Sequence, residues 1–413
     1  MKIRSVTAFV EVSYPLESEV IAAAGEALRA ARQALTETGL EVQTTRLATQ
    51  PFPLALAEAG PARVADLAQD LEALAFVHEI DYIGLGPVQL SDPVAFAENL
   101  PDALRSTENV FAGVEIANSG QGIGLPRVRR VAELIRRVAT LTEDGFANLR
   151  LTALSNVPAW APFFPAAYHG GGKTRIAVAT QSADLAQAAI TSAHTLEAAR
   201  SGLIRSVEME AERVERAVKG ALEPFDILYE GLDFSLAPYP DQDTSIGDAL
   251  EKLGLPAVGG PGTLMAAAFL TDALNRAQFR QTGFNGLMLP VLEDSILAKR
   301  AAEGHLTVTD LLTFSAVCGT GLDTIPLPGD VSVDSLSAIL LDVAALALRL
   351  DKPLTARLMP IPGKAAGDPI SFDFEYFADS AVMAPAVLAP EPEALTGLLA
   401  GDEDIDIQPR MPR

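Results

Sequence analysis

Short apolar runs and longer amphipathic stretches take turns along most of this chain. The apolar runs predict strands at 2–12, 40–48, 80–86, 110–116, 149–156, 174–180, 225–235, 286–292, 322–327 and 354–361. Stretches with apolar residues three or four positions apart predict helices at 17–38, 61–78, 93–105, 125–141, 183–220, 244–253, 262–279, 294–303, 307–317 and 333–350. Gly39, after the first helix, is typical of a helix C-cap.

This alternation indicates an α/β fold with a mostly parallel sheet, because parallel strands need a crossover of about a dozen residues or more. With about ten strands, the chain exceeds the needs of an eight-stranded barrel, and no repeat divides it. We therefore predict one α/β domain over residues 1–384. Residues 385–413, rich in proline and acid, are predicted to form a short helix followed by a mobile or partner-docking end.

The charge of the chain narrows the classes of partner. Its 413 residues carry a formal net charge of -23, so its surface should repel nucleic-acid phosphates and anionic membranes. The very apolar segment at 337–350 contains Asp342 and falls short of the roughly 20 apolar residues of a membrane span. The chain has one cysteine, and its first residues predict a strand rather than a signal peptide. We expect a cytoplasmic protein, and self-association into a homo-oligomer stays open.

A glycine-rich loop at 170–173 is the first candidate for chemistry. Its sequence GGGK, followed by Thr174, resembles a phosphate-binding loop, but Ala167 stands where that motif has its first glycine. A strand-like run follows instead of a helix, so we interpret the loop as a turn or flap, with an anion-binding nest of backbone amides as the alternative. The preceding His169 is a candidate proton-transfer residue over a cleft, or else a solvent-facing imidazole.

Three aspartates near the ends of apolar strands are the candidates for a metal site. Asp233 lies in the strand at 225–235, and Asp323 and Asp330 flank a proline-stiffened strand. Since such ends collect on one face of a parallel sheet, we predict that the three carboxylates converge on one cleft. There they would raise a pKa or recruit a divalent cation, and Asp323 would also transfer protons. The alternative is that each aspartate caps a helix or a turn.

The Gly-Gly-Pro-Gly loop that ends at Gly262 is a candidate binding segment. It leads into the helix at 262–279, and free N–H groups at a helix N-terminus can receive an anion from a substrate. Thr263 would line such a site together with Gly262. The equally weighted alternative is a tight turn in which Thr263 is the helix cap.

The segment Cys-Gly-Thr-Gly at 318–321 contains the one cysteine of the chain. Cys318 is a candidate nucleophile or hydrogen-atom carrier, and Gly319, Thr320 and Gly321 would let a substrate approach the backbone. Two arguments oppose a reactive thiolate. A buried cysteine is most often an inert small hydrophobe, and the C-terminal end of the preceding helix disfavours a negative charge.

Several segments together resemble an uncharacterised bacterial and archaeal family, domain-of-unknown-function family 711. They are EVQTTRLATQPFP at 41–53, FFPAAYH at 163–169, SADLA at 182–186, DFSLAP at 233–238, GGPGT at 259–263, LPVLED at 289–294 and VCGTGLDTIPLPGD at 317–330. The most specific of them is Cys-Gly-Thr-Gly-Leu-Asp. The family is similar in fold to pyruvate formate-lyase and other glycyl radical enzymes, whose core is a ten-stranded α/β barrel around a cysteine loop. The resemblance implies such a barrel, with Cys318 in the inner loop.

The resemblance does not imply radical chemistry. Glycyl radical enzymes carry a glycine near the C-terminus in an Arg-Val-x-Gly-Tyr-like context, which is absent from the sequence between Leu350 and Arg413. No established reaction comes with the family. Two classes of function remain. One is an enzyme that acts on a small polar metabolite in the barrel interior, with a divalent cation as the candidate cofactor, and the other is a non-catalytic binding or regulatory protein that uses the same cavity.

Overall fold

The computed structural model describes residues 1–385 and 397–409. Its strands are β1 Lys2–Val10, β2 Val42–Pro51, β3 Tyr82–Val88, β4 Val110–Asn118, β5 Gly122–Gly124, β6 Leu151–Ser155, β7 Arg175–Gln181, β8 Leu228–Asp233, β9 Gly321–Pro328, β10 Leu354–Ile361, β11 Pro369–Ile370, β12 Ser380–Ala381 and β13 Asp404–Ile405. Its α-helices are α1 Ser18–Glu37, α2 Phe52–Ala55, α3 Val64–Val77, α4 Ala95–Glu98, α5 Leu100–Arg105, α6 Leu125–Ala139, α7 Ala183–Thr191, α8 Leu196–Leu222, α9 Ile246–Lys252, α10 Thr263–Arg276, α11 Ser295–Ala302, α12 Val308–Ser315 and α13 Val333–Leu350.

Eleven of these strands form one large mixed sheet. Its main path runs β8-β7-β1-β2-β3-β4-β6-β10-β9, and β5 and β13 extend it beside β4. Neighbours along the path are parallel, except for the antiparallel pairs β1–β7 and β6–β10. The predicted α/β class with a mostly parallel sheet is therefore confirmed.

The regular strand pairing does not close this sheet into the predicted ten-stranded barrel. Its path ends at β8 and at β9. The segment predicted as a strand at 286–292 makes only isolated bridges to the two ends, from Leu287 to Leu236 and from Pro290 to Asp323. A proline has no N–H to donate to a strand ladder, which explains why Pro290 interrupts regular pairing here.

Two predicted helices are each divided in the structure. The stretch at 183–220 forms α7 and α8, because Thr195 accepts a hydrogen bond from the N–H of Ala198 and starts a second helix as its N-cap. The stretch at 93–105 forms α4 and α5, and Pro101 lies in the first turn of α5, where a missing N–H is tolerated. Both divisions lie at ordinary helix-start residues inside a periodic apolar pattern.

The two faces of the sheet differ in character. Alternate residues such as Ile83 on β3 and Leu358 on β10 belong to the main apolar core, which the helices share. Their neighbours on the other face include Tyr82 on β3 and Arg357 on β10, both of which line a cavity. Since successive side chains of a strand point to opposite faces, one face builds the core and the other builds the cavity.

The C-terminal part returns to the sheet. Asp404–Ile405 pairs antiparallel with β5, and Ile405 and Ile407 pack against the main core. A 3-10 helix at Gly397–Ala400 lies in the region where a short tail helix was predicted, whereas 386–396 and 410–413 are outside the described residues. Within the described ranges, no helix has the length and apolar character to cross a membrane.

Candidate functional site

A cavity of about 190 Å³ lies on the face of the sheet opposite the main apolar core, which we call the inner face. Its charged lining comes from strands and segments far apart in sequence: Arg4, Arg46, Arg150, Glu108, Asp233, Glu293, Asp323 and Arg357. The remaining lining is largely apolar and aromatic, with a few hydroxyl and amide groups. An internal cavity that combines apolar walls with a few convergent charges is the usual form of a small-molecule site.

Arg357 is the centre of an ion network in this cavity. Its Nε donates to Asp323 Oδ1 at 2.6 Å, and its Nη2 donates to Glu293 Oε1 at 3.1 Å. Arg4 donates to the other oxygen of Glu293. Arg357 is 4% exposed, and both carboxylates are buried. The two acids thus have guanidinium partners within the protein.

The environments of the two carboxylates move their pKa values in opposite directions. Burial raises the pKa of Asp323, and the neighbouring Glu293 charge adds to this, so that the attraction of Arg357 does not restore the ordinary value. Burial also raises the pKa of Glu293, but the charges of Arg4 and Arg357 outweigh it and leave this pKa below its ordinary value. Glu293 is therefore the more strongly ionised member of the pair.

Arg46 has a different environment from the other two arginines. Its Nε donates to Thr44 Oγ1 at 2.9 Å, and it forms no other hydrogen bond or ion pair with the described residues. Its guanidinium carbon lies 5.5 Å from the ring centre of Tyr82 and 5.1 Å from that of Phe164. Burial, together with repulsion by Arg4, lowers the pKa of Arg46 to about 10. The group is still cationic at neutral pH. The Glu293 charge attracts it, but no carboxylate of the described residues pairs with it directly.

Asp233 and Asp323, two of the three aspartates predicted to converge, line this cavity. Asp233 accepts hydrogen bonds from the N–H groups of Phe284 and Asn285 and from the Ser235 hydroxyl, so it also fixes the backbone at 284–285. Burial raises its pKa, against the opposing effect of these hydrogen bonds.

The predicted convergence is wrong for Asp330, which is exposed and does not line the cavity. It follows β9 by two residues, in the turn before α13, and so points to solvent instead of the inner face. Across 1–385 and 397–409, no three His, Cys, Asp or Glu side chains lie close enough to hold a metal ion. The predicted metal set of Asp233, Asp323 and Asp330 is therefore not assembled, because one member is at the surface and Asp323 is paired with an arginine.

Cys318 is buried but does not line the central cavity. It belongs to the main apolar core and borders a separate pocket with Asn285, Gly286, Gly319 and Lys352. The Lys352 ammonium donates to the carbonyl oxygens of Ser315 and Cys318, at the end of α12. The thiol thus borders a different pocket from the one lined by the two aspartates with which it was predicted to share a site.

His169 is also outside the cavity lining. It is 1% exposed, and its ring packs edge-on against Trp160 with centres 4.7 Å apart. Its Nδ1 accepts from the N–H of Gly171 at 3.0 Å, and burial lowers its pKa. The imidazole is therefore neutral, and the predicted solvent-facing alternative is wrong. The following loop leads into strand β7, as predicted.

Neither Gly262 nor Thr263 lines the cavity. Gly262 is the N-cap of α10 and Thr263 is its first residue, so the alternative with Thr263 as the cap is wrong. The Thr263 hydroxyl donates to the carbonyl of Gly260 at 2.8 Å and accepts from the N–H of Gly259 at 3.2 Å. Gly262 has a φ of 101°, in the region that favours glycine. The turn therefore accounts for the glycines and the threonine of this segment without a bound anion.

Gly319, Thr320 and Gly321 lie where backbones approach closely. A Cβ on Gly319 would lie 2.9 Å from the Cα of Gly286, and one on Gly321 would lie 2.4 Å from the carbonyl oxygen of Thr355 on β10. Thr320 is buried, and its carbonyl accepts from the N–H of Thr355 at 2.7 Å. These three residues connect β9 to its neighbours. None of them lines the central cavity.

We predict that Gly321→Ala lowers the free energy of unfolding by more than about 2 kcal/mol, since it combines a φ of 97° with the contact to Thr355. Gly171→Ala is the matched control, because Gly171 has the same φ of 97° and no atom within 4 Å of its added Cβ. Urea unfolding of both variants separates the two effects. Equal losses in the two variants would show that the approach to β10 is unimportant.

The cavity residues that the sequence analysis missed are mainly arginines and aromatic residues. Arg4, Arg46 and Arg357 each lie inside a strand whose other residues are largely buried. A charge in such a strand is costly unless it is paired or functional, so this signal was available. The local sequence does not show which carboxylate pairs with such an arginine, because Arg4 and its partner Glu293 are 289 residues apart.

These features define an α/β protein with an arginine-containing cavity on the inner face of its sheet. A family model described as "Uncharacterised ACR (DUF711)" matches residues 1–376, and the chain belongs to that family. The UPF0210 protein of Pyrobaculum arsenaticum is 36% identical over 356 residues, which cover 82% of this chain and 78% of the relative. That of Methanopyrus kandleri is 30% identical over 375 residues, with coverages of 87% and 83%.

Proposed function

We propose that this protein binds a small anionic metabolite in the central cavity and that Arg46 pairs with the anion. The observation that carries the proposal is the difference between Arg46 and its two neighbours. Arg4 and Arg357 each bind a carboxylate of the protein, whereas Arg46 lines the same cavity without one. A partly buried cation that has no direct ion pair is costly, and an anionic ligand would supply the missing partner.

The size of the cavity limits the ligand. A buried cavity of about 150 Å³ is enough for one benzene ring. The cavity here, at about 190 Å³, suits a molecule with one ring or a short carbon chain and one charged group.

We predict that small organic anions stabilise the protein and that Arg46→Gln removes this effect. At a ligand concentration of 100 times its dissociation constant, the wild type should gain about 2.7 kcal/mol. Loss of a charge-assisted hydrogen bond should weaken binding at least about tenfold in the variant. Calorimetric titration and thermal shift with a panel of carboxylates and phosphates measure both quantities.

The matched control is Arg216→Gln, because the Arg216 side chain is 75% exposed on α8. This variant should bind like the wild type. If no small anion binds, or if Arg46→Gln binds it as tightly as the wild type does, the proposal is wrong.

A second candidate function is catalysis on the same ligand. It is favoured by Asp323 and Glu293, which both line the cavity, share Arg357 and have pKa values moved in opposite directions. Two nearby carboxyl groups with pKa values moved apart are typical of an acid and base pair. Asp323, as the carboxylate, would take a proton from an acidic C–H bond of the ligand, leaving the electron pair on that carbon, and would then return a solvent-derived proton to the same carbon. Deuterium exchange into the bound ligand in D2O, followed by NMR, tests this step. Asp323→Asn should abolish the exchange. Cys318→Ala should retain it, because the thiol does not line the cavity.

The proposal also includes the finer architecture. We infer that the segment at 281–291 completes the path from β8 to β9 and makes a pyruvate formate-lyase-like barrel. The isolated bridges of Leu287 and Pro290 to the two ends support it. Residues 1–384 would then form one domain around the cavity, to whose sheet Asp404–Ile405 adds a short strand.

A further inference from the structure

The walls of the central cavity are unusually rich in aromatic side chains. Aromatic residues make up 6% of the chain. Seven of them line this one cavity: Tyr82, Phe111, Phe146, Phe163, Phe164, Phe374 and Tyr376. Such rings provide large apolar contact areas and prefer offset or edge-on partners that also carry a ring.

Three of these rings form a contiguous wall next to Arg46. Tyr82 and Phe111 meet edge-on with ring centres 5.2 Å apart, and Phe111 and Phe164 do so at 5.7 Å. Tyr82 and Arg46 are paired across β2 and β3, which places the guanidinium beside this wall. A ligand whose anionic group reaches Arg46 therefore places its body against the rings.

The contacts of Arg46 restrict the anionic group. Its Nε is used by Thr44, which leaves the two terminal nitrogens for a ligand. A planar carboxylate accepts two parallel hydrogen bonds from such a guanidinium edge. A phosphate monoester carries up to two charges. Of the other guanidinium groups in the cavity lining, Arg4 and Arg357 are already paired with Glu293 and Asp323, and Arg150 donates to backbone carbonyls.

We propose that the ligand is an aromatic monocarboxylate with a single ring, bound end-on to Arg46 with its ring against Tyr82, Phe111 and Phe164. This proposal rests on the proposed function and names the class of its ligand. The carboxylate pairs with the guanidinium, the ring fills the apolar volume, and a cavity of about 190 Å³ has room for one ring.

Four probes of nearly equal size separate the contributions to binding. Benzoate carries both proposed features, cyclohexanecarboxylate lacks the aromatic ring, benzamide lacks the charge, and phenyl phosphate replaces the carboxylate. By calorimetric titration, benzoate should bind at least about threefold more tightly than cyclohexanecarboxylate. It should bind at least about tenfold more tightly than benzamide or phenyl phosphate.

Two variants test the ring wall. Phe111→Leu should abolish the preference for benzoate over cyclohexanecarboxylate while both still bind through Arg46. Tyr82→Leu, at a wall residue that is only partly buried, is the second variant if Phe111→Leu fails to fold. Phe76→Leu is the matched control, since Phe76 is 85% exposed on α3, and it should keep the wild-type preference.

The outcomes distinguish this proposal from the proposed function. If cyclohexanecarboxylate or phenyl phosphate binds as tightly as benzoate, and the binding depends on Arg46, the aromatic carboxylate class is wrong and the anion site stands. If none of the four probes binds but another small anion binds through Arg46, the aromatic carboxylate class is again wrong and the anion site stands. If no anion binds through Arg46, both proposals are wrong.

Discussion

Arg357→Met is expected to lower the free energy of unfolding by about 3–5 kcal/mol, because it leaves two buried carboxylates without their shared cation. Asp323 would lose its guanidinium partner, and Glu293 would retain only Arg4. The carbonyl of Leu149 would also lose a donor, the Nη1 group at 3.3 Å. Urea unfolding at pH 8 measures the loss.

The same substitution at Arg46 is the matched control. Arg46 lines the same cavity but pairs with no carboxylate of the described residues, so Arg46→Met should change stability by no more than about 1 kcal/mol. Equal losses at the two positions would contradict the distinction between a structural and a ligand-binding arginine.

The pH dependence gives this prediction a sign. Without Arg357, the pKa of Asp323 should rise further above its unfolded value, and the pKa of Glu293 should rise because only Arg4 still opposes the effect of burial. A carboxyl group with a raised folded pKa loses stability as pH increases above its unfolded value. The difference between the variant and the wild type should therefore be small near pH 4 and reach its full size by pH 8.

The sequence predicted the sheet well because the signal for it is local. Periodic apolar residues and capping residues define each element without reference to the rest of the chain. Gly39, for example, follows α1 with a φ of 86°, as a C-cap requires, and Ser245 caps α9 by accepting from the N–H of Asp248. The closure of the sheet was less predictable, since Pro290 has the apolar context of a strand but cannot pair as one.

The candidate site was predicted only in part, for a physical reason. Asp233 and Asp323 were found because a carboxylate at the end of an apolar strand is conspicuous in sequence. Whether such a group faces a ligand, a metal or an arginine depends on contacts between distant segments. For Asp323 the decisive neighbour is Arg357, on the next strand of the sheet. The predictions of chemistry at Cys318 and His169 had a weaker basis in the sequence. A buried cysteine or histidine at a reactive site has the same local pattern as one in the core.

Asp294→Ala is expected to lower the free energy of unfolding by about 3–5 kcal/mol, because it removes five hydrogen bonds from two helix N-termini. Asp294 is fully buried, with 0% exposure. One of its oxygens accepts from the Ser245 hydroxyl at 2.7 Å and from Ile296 and Leu297 at the start of α11, each at 2.9 Å. The other accepts from two N–H groups at the start of α9.

The position of Asp294 also links this cap to the cavity, since it follows Glu293 directly. Displacing it should move Glu293 relative to Arg4 and Arg357 and weaken ligand binding along with stability. Asp294→Asn keeps one of the two carboxylate acceptors and should lose about half as much stability. Asp241→Ala is the control, because Asp241 caps a single exposed turn at Thr244, and it should cost at most about 1 kcal/mol. Similar losses for Asp294→Ala and Asp241→Ala in urea unfolding would show that α9 and α11 do not depend on the shared carboxylate.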